Sequence, residues 1–320
     1  MKIVVTATSF KADSPDPAAE QLRQFSAQHS GEIVFNPLGR PLSEDDLIPL
    51  LKGCDGYIAG LDFVTGKVID ACDTLKVISR YGAGFDRVDI AAAKAKNIAV
   101  CNTPGANAQA VADLAFGLAL CAARRIPLLD RKTKEGQWVR STGIELYGKT
   151  MGILGLGAVG KGVARRAQGF SMKVLAYDPY INRAYAEANG ITVSDFDSLI
   201  KNADVLSLHL PLNEETRYIL SGDVMGRMKK GAVIINTARG GLVDERAAAE
   251  LLRSGHLGGL GLDAYEEEPP KASPLFELDN VVLTPHTAAH TAEATAAMAI
   301  MSVQNLIDVL TGKPCRYIVN

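Results

Sequence analysis

Short apolar runs alternate with amphipathic stretches along the whole 320-residue chain. Ile3–Ala7, Gly56–Ala59, Val77–Ser79 and Ala99–Cys101 have the length and apolarity of buried strands. Helical patterns fall between them near Pro17–His29, Glu44–Lys52, Gly66–Cys72 and Ile90–Lys96. A second series begins near Thr150, with strands predicted at Met151–Leu154, Lys173–Tyr177, Val205–Leu210, Ala232–Asn236, Gly259–Asp263 and Val281–Leu283. Strands alternating with helices at this pace predict βαβ units and parallel sheets. Two such series predict two α/β domains, in keeping with the length. Asn107–Arg124 reads as a long apolar helix after the turn Thr103-Pro104-Gly105, a candidate bridge between the halves. A last helix is predicted over Ala292–Leu310.

Composition narrows the function classes. Thirty-four basic against 36 acidic residues give a net charge of −2 with no basic stripe, which speaks against nucleic acid as a partner. The longest apolar stretch, Leu114–Ala123, is about half of what a bilayer needs, so no membrane segment is expected. Ile3–Val5 is too short for the core of a signal peptide. The five cysteines are widely spaced without a Cys-x-x-Cys pair, which predicts no metal site and reduced, buried thiols in a cytoplasmic protein.

Gly155-Leu156-Gly157-Ala158-Val159-Gly160 matches G-x-G-x-x-G between a predicted strand and the helical stretch Val159–Phe170. The next strand ends at Asp178, 23 positions after the first glycine. Gly155 permits the tight turn, Gly157 lets the backbone approach a pyrophosphate, and Gly160 lets helix and strand pack closely. The helix N-terminus offers free N–H groups to the phosphates. Asp178 can accept from both ribose hydroxyls and would repel a 2′-phosphate. This favours NAD over NADP, with Arg183 nearby as the counter-indication.

Three further residues stand at predicted strand ends, the edge where open α/β sheets bind ligands. Arg239, between Ala238 and Gly240, can present a planar fork to a carboxylate, or be a surface loop charge. Glu268 closes an acidic run after Asp263 and stands against Pro269 and Pro270; such runs are often only solvated charge. His286 suits proton transfer near neutral pH, with His290 as a neighbouring alternative. Together they supply a cation, a tuning carboxylate and a proton donor, the set needed to reduce a 2-oxo acid.

These segments, with Arg80-Tyr81-Gly82-Ala83-Gly84, Asn102-Thr103-Pro104-Gly105 and Glu145–Thr150, resemble the D-isomer-specific 2-hydroxyacid dehydrogenases across essentially the whole chain. Within that family the likeness is closest to the catalytic part of D-3-phosphoglycerate dehydrogenases. The resemblance implies a Rossmann-type NAD domain (residues 99–290) inserted into a flavodoxin-like substrate domain (1–98 and 291–320). Homodimers pairing through the nucleotide domain, and closure over substrate, are also implied.

By the same resemblance Arg239 binds the substrate, His286 is the acid/base and Glu268 orients it. Asp263 contacts the nicotinamide carboxamide, and Thr237, Ala238, His209, Pro211 and Thr216 line the cofactor. Gly82, Ala83 and Gly84, beside Tyr81, offer amides to the substrate carboxylate. Arg80 and Arg140 match basic positions that hold phosphate in phosphoglycerate dehydrogenases, although Arg80 also reads as a solvated strand-end charge. Another such Arg is missing, since Gly60-Leu61-Asp62 stands in its place. No regulatory extension is expected after Asn320. The substrate is therefore left among 3-phosphoglycerate, hydroxypyruvate, glyoxylate and other small acids. Formate is disfavoured because formate dehydrogenases carry Gln at the place of Glu268. The alternatives are an NAD(H)-binding regulatory protein on the same fold, or an NAD enzyme acting on another small anion such as phosphite.

Overall fold

A computed structural model describes residues 1–10 and 16–320. The chain divides into two compact units, one of residues 1–107 and 290–320, the other of residues 108–289.

The first unit holds β1 (Lys2–Val5), β2 (Glu32–Phe35), β3 (Gly56–Ala59), β4 (Val77–Arg80) and β5 (Ala99–Cys101). They form one sheet in the order β2-β1-β3-β4-β5, and every pairing is parallel. This is the flavodoxin-like order, with the strand order reversing at β1/β3. β3 and β4 are buried at every position, as parallel strands covered on both faces must be. The helix Ala292–Leu310 returns from the far end of the chain to pack on β3, β4 and β5, bringing Val303 and Leu306 into the same core as Ile3 and Leu22.

The second unit holds β6 (Thr150–Leu154), β7 (Lys173–Tyr177), β8 (Thr192–Val193), β9 (Val205–Leu208), β10 (Ala232–Asn236), β11 (Leu257–Leu262) and β12 (Val281–Leu283). Their order is β12-β11-β10-β9-β6-β7-β8, again with all pairings parallel. Counted from β6, this is the dinucleotide-binding order 3-2-1-4-5-6 with one strand added. The strand order reverses beside β6, so the glycine turn lies at the switch point.

Three expectations shift. The domain junction moves from residue 98 to 107, because Ala99–Cys101 pairs in register with Val77–Ser79 as the edge of the first sheet. The helix proposed as a bridge, here Ala108–Arg124, belongs wholly to the second unit and packs on β10, β11 and the helix Ala158–Gly169. Close packing there needs Gly162, since a Cβ on it would lie 2.8 Å from the Ala112 side chain. Of the five cysteines, all unpaired, Cys121 and Cys315 are half-buried rather than buried.

Candidate active site

The glycine turn joins β6 to the helix Ala158–Gly169, and its three glycines meet three different constraints. Gly155 adopts φ +96°, and a Cβ there would lie 2.6 Å from the His209 carbonyl oxygen. A Cβ on Gly160 would lie 2.1 Å from the Gly155 carbonyl oxygen. Around Gly157 a Cβ would meet nothing within 4 Å, so the space over the turn is open. Gly157 also caps the helix without any side-chain bond. The first helical amides, those of Ala158 and Val159 among them, thus lack intrahelical acceptors and face an open approach.

Asp178 follows β7. Its Oδ2 accepts from the Leu156 amide at 2.8 Å and its Oδ1 from the Tyr180 amide at 2.8 Å. The carboxylate is thereby fixed beside the turn with lone pairs to spare on each oxygen. Thr216 Oγ1 donates to the Pro211 carbonyl at 2.7 Å and closes the loop after β9.

At the head of that loop the His209 amide donates to Leu154 O at 2.7 Å, and Nε2 lies 2.9 Å from Ser207 Oγ. Although the residue keeps some accessible surface, its ring is enclosed, and burial pushes its pKa from 6.5 down to about 3. The ring is therefore neutral in the folded protein but protonates in the unfolded chain below about 6.5. The stability it contributes is complete above that value and falls as pH drops toward 3, by at most ~1.4 kcal/mol per pH unit. His209→Gln should flatten the decline of the thermal midpoint between roughly pH 6.5 and 4.5. An unchanged decline would remove His209 from that account.

The ends of β10, β11 and β12 carry the remaining polar groups. Asn236, 1% exposed, donates from Nδ2 to Arg239 O at 2.7 Å and accepts from the Ala238 amide at 3.0 Å, which folds the strand end into a turn. Arg239 is half-buried there, with Nη1 donating to Ala238 O at 2.8 Å. The Thr237 hydroxyl is buried without a hydrogen-bond partner among the described residues, a cost that a ligand's polar group would relieve.

His286 Nδ1 lies 2.9 Å from both Glu268 oxygens, and both side chains are mostly enclosed. The ionised carboxylate directs the Nδ1 proton toward itself and leaves Nε2 for proton exchange with a substrate. Glu268 is held in turn by the Tyr265 amide at 3.2 Å. The other histidines are placed differently. His29 and His256 face backbone carbonyls, and His290 is exposed.

Asp263 does more than the expected cofactor contact requires. It is 1% exposed and accepts from Thr284 Oγ1 (2.7 Å), the Thr287 amide (2.8 Å) and the Ala288 amide (2.9 Å). These bonds clamp the loop on which His286 sits at φ +49°. Asn236 and Thr284 were not singled out from the sequence. Their only signal there is adjacency to Thr237 and to the His286 loop.

In the first unit Arg80 is 4% exposed and not a solvated charge. Its Nη1 donates to Ala59 O at 2.8 Å and its Nε to Gly84 O at 3.1 Å, and burial pushes its pKa down to about 10. The carbonyls of Gly82 and Ala83 are also taken, by the Thr103 amide (3.0 Å) and Asn102 Nδ2 (2.7 Å). Tyr81 is anchored through its hydroxyl to Thr295 O at 2.7 Å. Arg140, in the second unit, is exposed in an irregular segment.

Residues 116–288 match the family of D-isomer specific 2-hydroxyacid dehydrogenases over its NAD binding domain. The chain belongs to that family. It is 44% identical over 283 residues to a D-3-phosphoglycerate dehydrogenase of Methanocaldococcus jannaschii, covering 87% of this chain and 54% of that protein. The chain thus spans about half the length of that relative. With a hydroxypyruvate reductase of Thermotoga maritima it shares 43% identity over 276 residues, covering 84% of this chain and 89% of the other. Among solved structures, the apo D-lactate dehydrogenase of Escherichia coli superposes with a TM-score of 0.84 at 32% identity, covering 100% of both chains. As a 2-hydroxyacid dehydrogenase relative the chain carries a nicotinamide-cofactor domain. No helix among the described residues is long and apolar enough to cross a membrane.

Proposed function

We propose that this protein catalyses the reversible, NAD-linked interconversion of a small D-2-hydroxy acid and its 2-oxo acid. The observation that carries the reading is the His286–Glu268 pair at the ends of neighbouring strands, in the same unit as the glycine turn. Gly155, Gly157 and Gly160 would hold the pyrophosphate, Asp178 the ribose, and Thr237 and Asp263 the nicotinamide end. Bound there, the cofactor supplies or accepts the hydride.

The chain's own residues do the rest. In reduction, protonated His286 donates from Nε2 to the carbonyl oxygen, and Glu268 stabilises the imidazolium until the proton leaves. Arg239 offsets the negative charge that develops on that oxygen. In oxidation, neutral His286 takes the hydroxyl proton. The Asp178 carboxylate favours NAD, because a 2′-phosphate would meet a negative charge. Exposed Trp138, Val139 and Ile126 on the second unit support pairing of two copies, and the five unpaired cysteines support a reducing, cytoplasmic setting.

The test is oxidation of NADH, and separately of NADPH, with a panel of 2-oxo acids. Turnover with NADH at least ~10-fold more efficient than with NADPH, from a particle of twice the chain mass by light scattering, is expected. NADH binding with no turnover of any acid would replace the enzyme by a nucleotide-binding regulator.

A further inference from the structure

We infer that Arg80 and Asn102 are positioning residues that shape an anion nest in the first unit, and that the substrate held there is an unphosphorylated 2-oxo acid. The inference rests on the reading above, in which the amides of Gly82, Ala83 and Gly84 receive the substrate carboxylate.

The carbonyls of these three residues are each committed inward, to the Thr103 amide, Asn102 Nδ2 and Arg80 Nε. Within one peptide the N–H and C=O point in opposite directions, so pinning the Gly82 and Ala83 carbonyls turns the following amides, those of Ala83 and Gly84, away from these partners. No acceptor among the described residues takes those amides. Gly82, at φ +149°, would place a Cβ in open space. The Ala83 and Gly84 amides supply partial positive charge that suits a single carboxylate.

A cation would strengthen the hold on the greater charge of a phosphate group, and the two arginines described at this edge are already engaged. Arg80 is enclosed and bonded to two carbonyls. It faces Asp62 and Asp86, whose charges balance its own and that of Arg87. Arg87 donates to Leu61 O at 2.6 Å and lies over the Phe63 ring. Nor is there room for another cation at Gly60, where a Cβ would lie 2.9 Å from Ala7 Cα and Thr6 O. Two residues on, Asp62 is 1% exposed and accepts from Thr6, Tyr57 and the Leu42 amide.

The experiment compares hydroxypyruvate, glyoxylate and phosphohydroxypyruvate with NADH in the wild-type protein, Arg80→Lys and Asn102→Ala. Wild type should use hydroxypyruvate at least ~10-fold more efficiently than its phosphorylated counterpart. Each substitution should raise KM for every acid by a similar factor, about 10-fold, the loss of one hydrogen bond to the nest. The ratio between the acids, kcat, and NADH affinity by fluorescence should stay within about twofold. Should Arg80→Lys fail to fold, Asn102→Ala and the wild-type ratio carry the test. A wild-type preference for phosphohydroxypyruvate that Arg80→Lys abolishes would overturn this inference and leave the dehydrogenase reading intact. Binding of NADH without turnover of any acid would overturn both.

Discussion

His286→Ala is expected to lower kcat by about 10²- to 10⁴-fold, the range for removing a general acid/base. NADH affinity, measured by fluorescence titration, should change by no more than about twofold, because the glycine turn and Asp178 lie on other strands. Glu268→Gln should act in the same direction but less, by about 10- to 100-fold. The amide can still meet Nδ1 at the 2.9 Å now occupied by carboxylate oxygens, but it brings no charge to stabilise the imidazolium. It can also donate to Nδ1 and so place the ring proton on Nε2, the wrong tautomer for accepting a proton. Equal losses of kcat and NADH affinity in His286→Ala would show that the ring only supports the loop. An unchanged kcat would take His286 out of the chemistry.

The bounds of β3 and β10 follow from strands buried at every position, whose runs are apolar up to the closing Asn236 of β10. β2 and β8 escape the same reading. They are edge strands that open on exposed residues, Glu32 and Thr192; β2 has no fully buried position and β8 is only two residues long. The glycine turn and the residues proposed for catalysis stand out in the sequence because each chemical role demands a residue type at a strand end. Arg80 does not, since its type and place fit a ligand, a solvated charge and a strut equally well. What decides among them is that the Ala59 and Gly84 carbonyls converge on its guanidinium, one of them supplied by a strand 21 residues earlier. Asp263 is similar. Its three donors come from residues 21 to 25 positions later, and no local pattern announces them.

Two glycines should respond to alanine in opposite ways. At Gly240 a Cβ would fall 1.9 Å from both the carbonyl carbon and oxygen of Tyr265. Backbone cannot yield as a flexible side chain would, so one of the two segments must move. The consequences spread, because the Tyr265 amide holds Glu268 and its hydroxyl donates to Thr284 O at 2.7 Å, next to the His286 loop. Gly240→Ala should therefore cost ~3 kcal/mol or more, seen as a drop of roughly 6–12 °C in Tm, with kcat falling even at temperatures where the protein stays folded. Gly157→Ala should leave Tm almost unchanged, within about 0.5 kcal/mol, because its Cβ meets nothing within 4 Å. Its effect should appear only when the nucleotide is present, as a loss of NADH affinity of at least ~10-fold where the methyl group meets the pyrophosphate. Calorimetry with and without NADH separates the two. If Gly157→Ala binds NADH normally, the open space over the turn is not where the cofactor's phosphates lie. If Gly240→Ala keeps its Tm, the close approach to Tyr265 does not hold the catalytic loop in place.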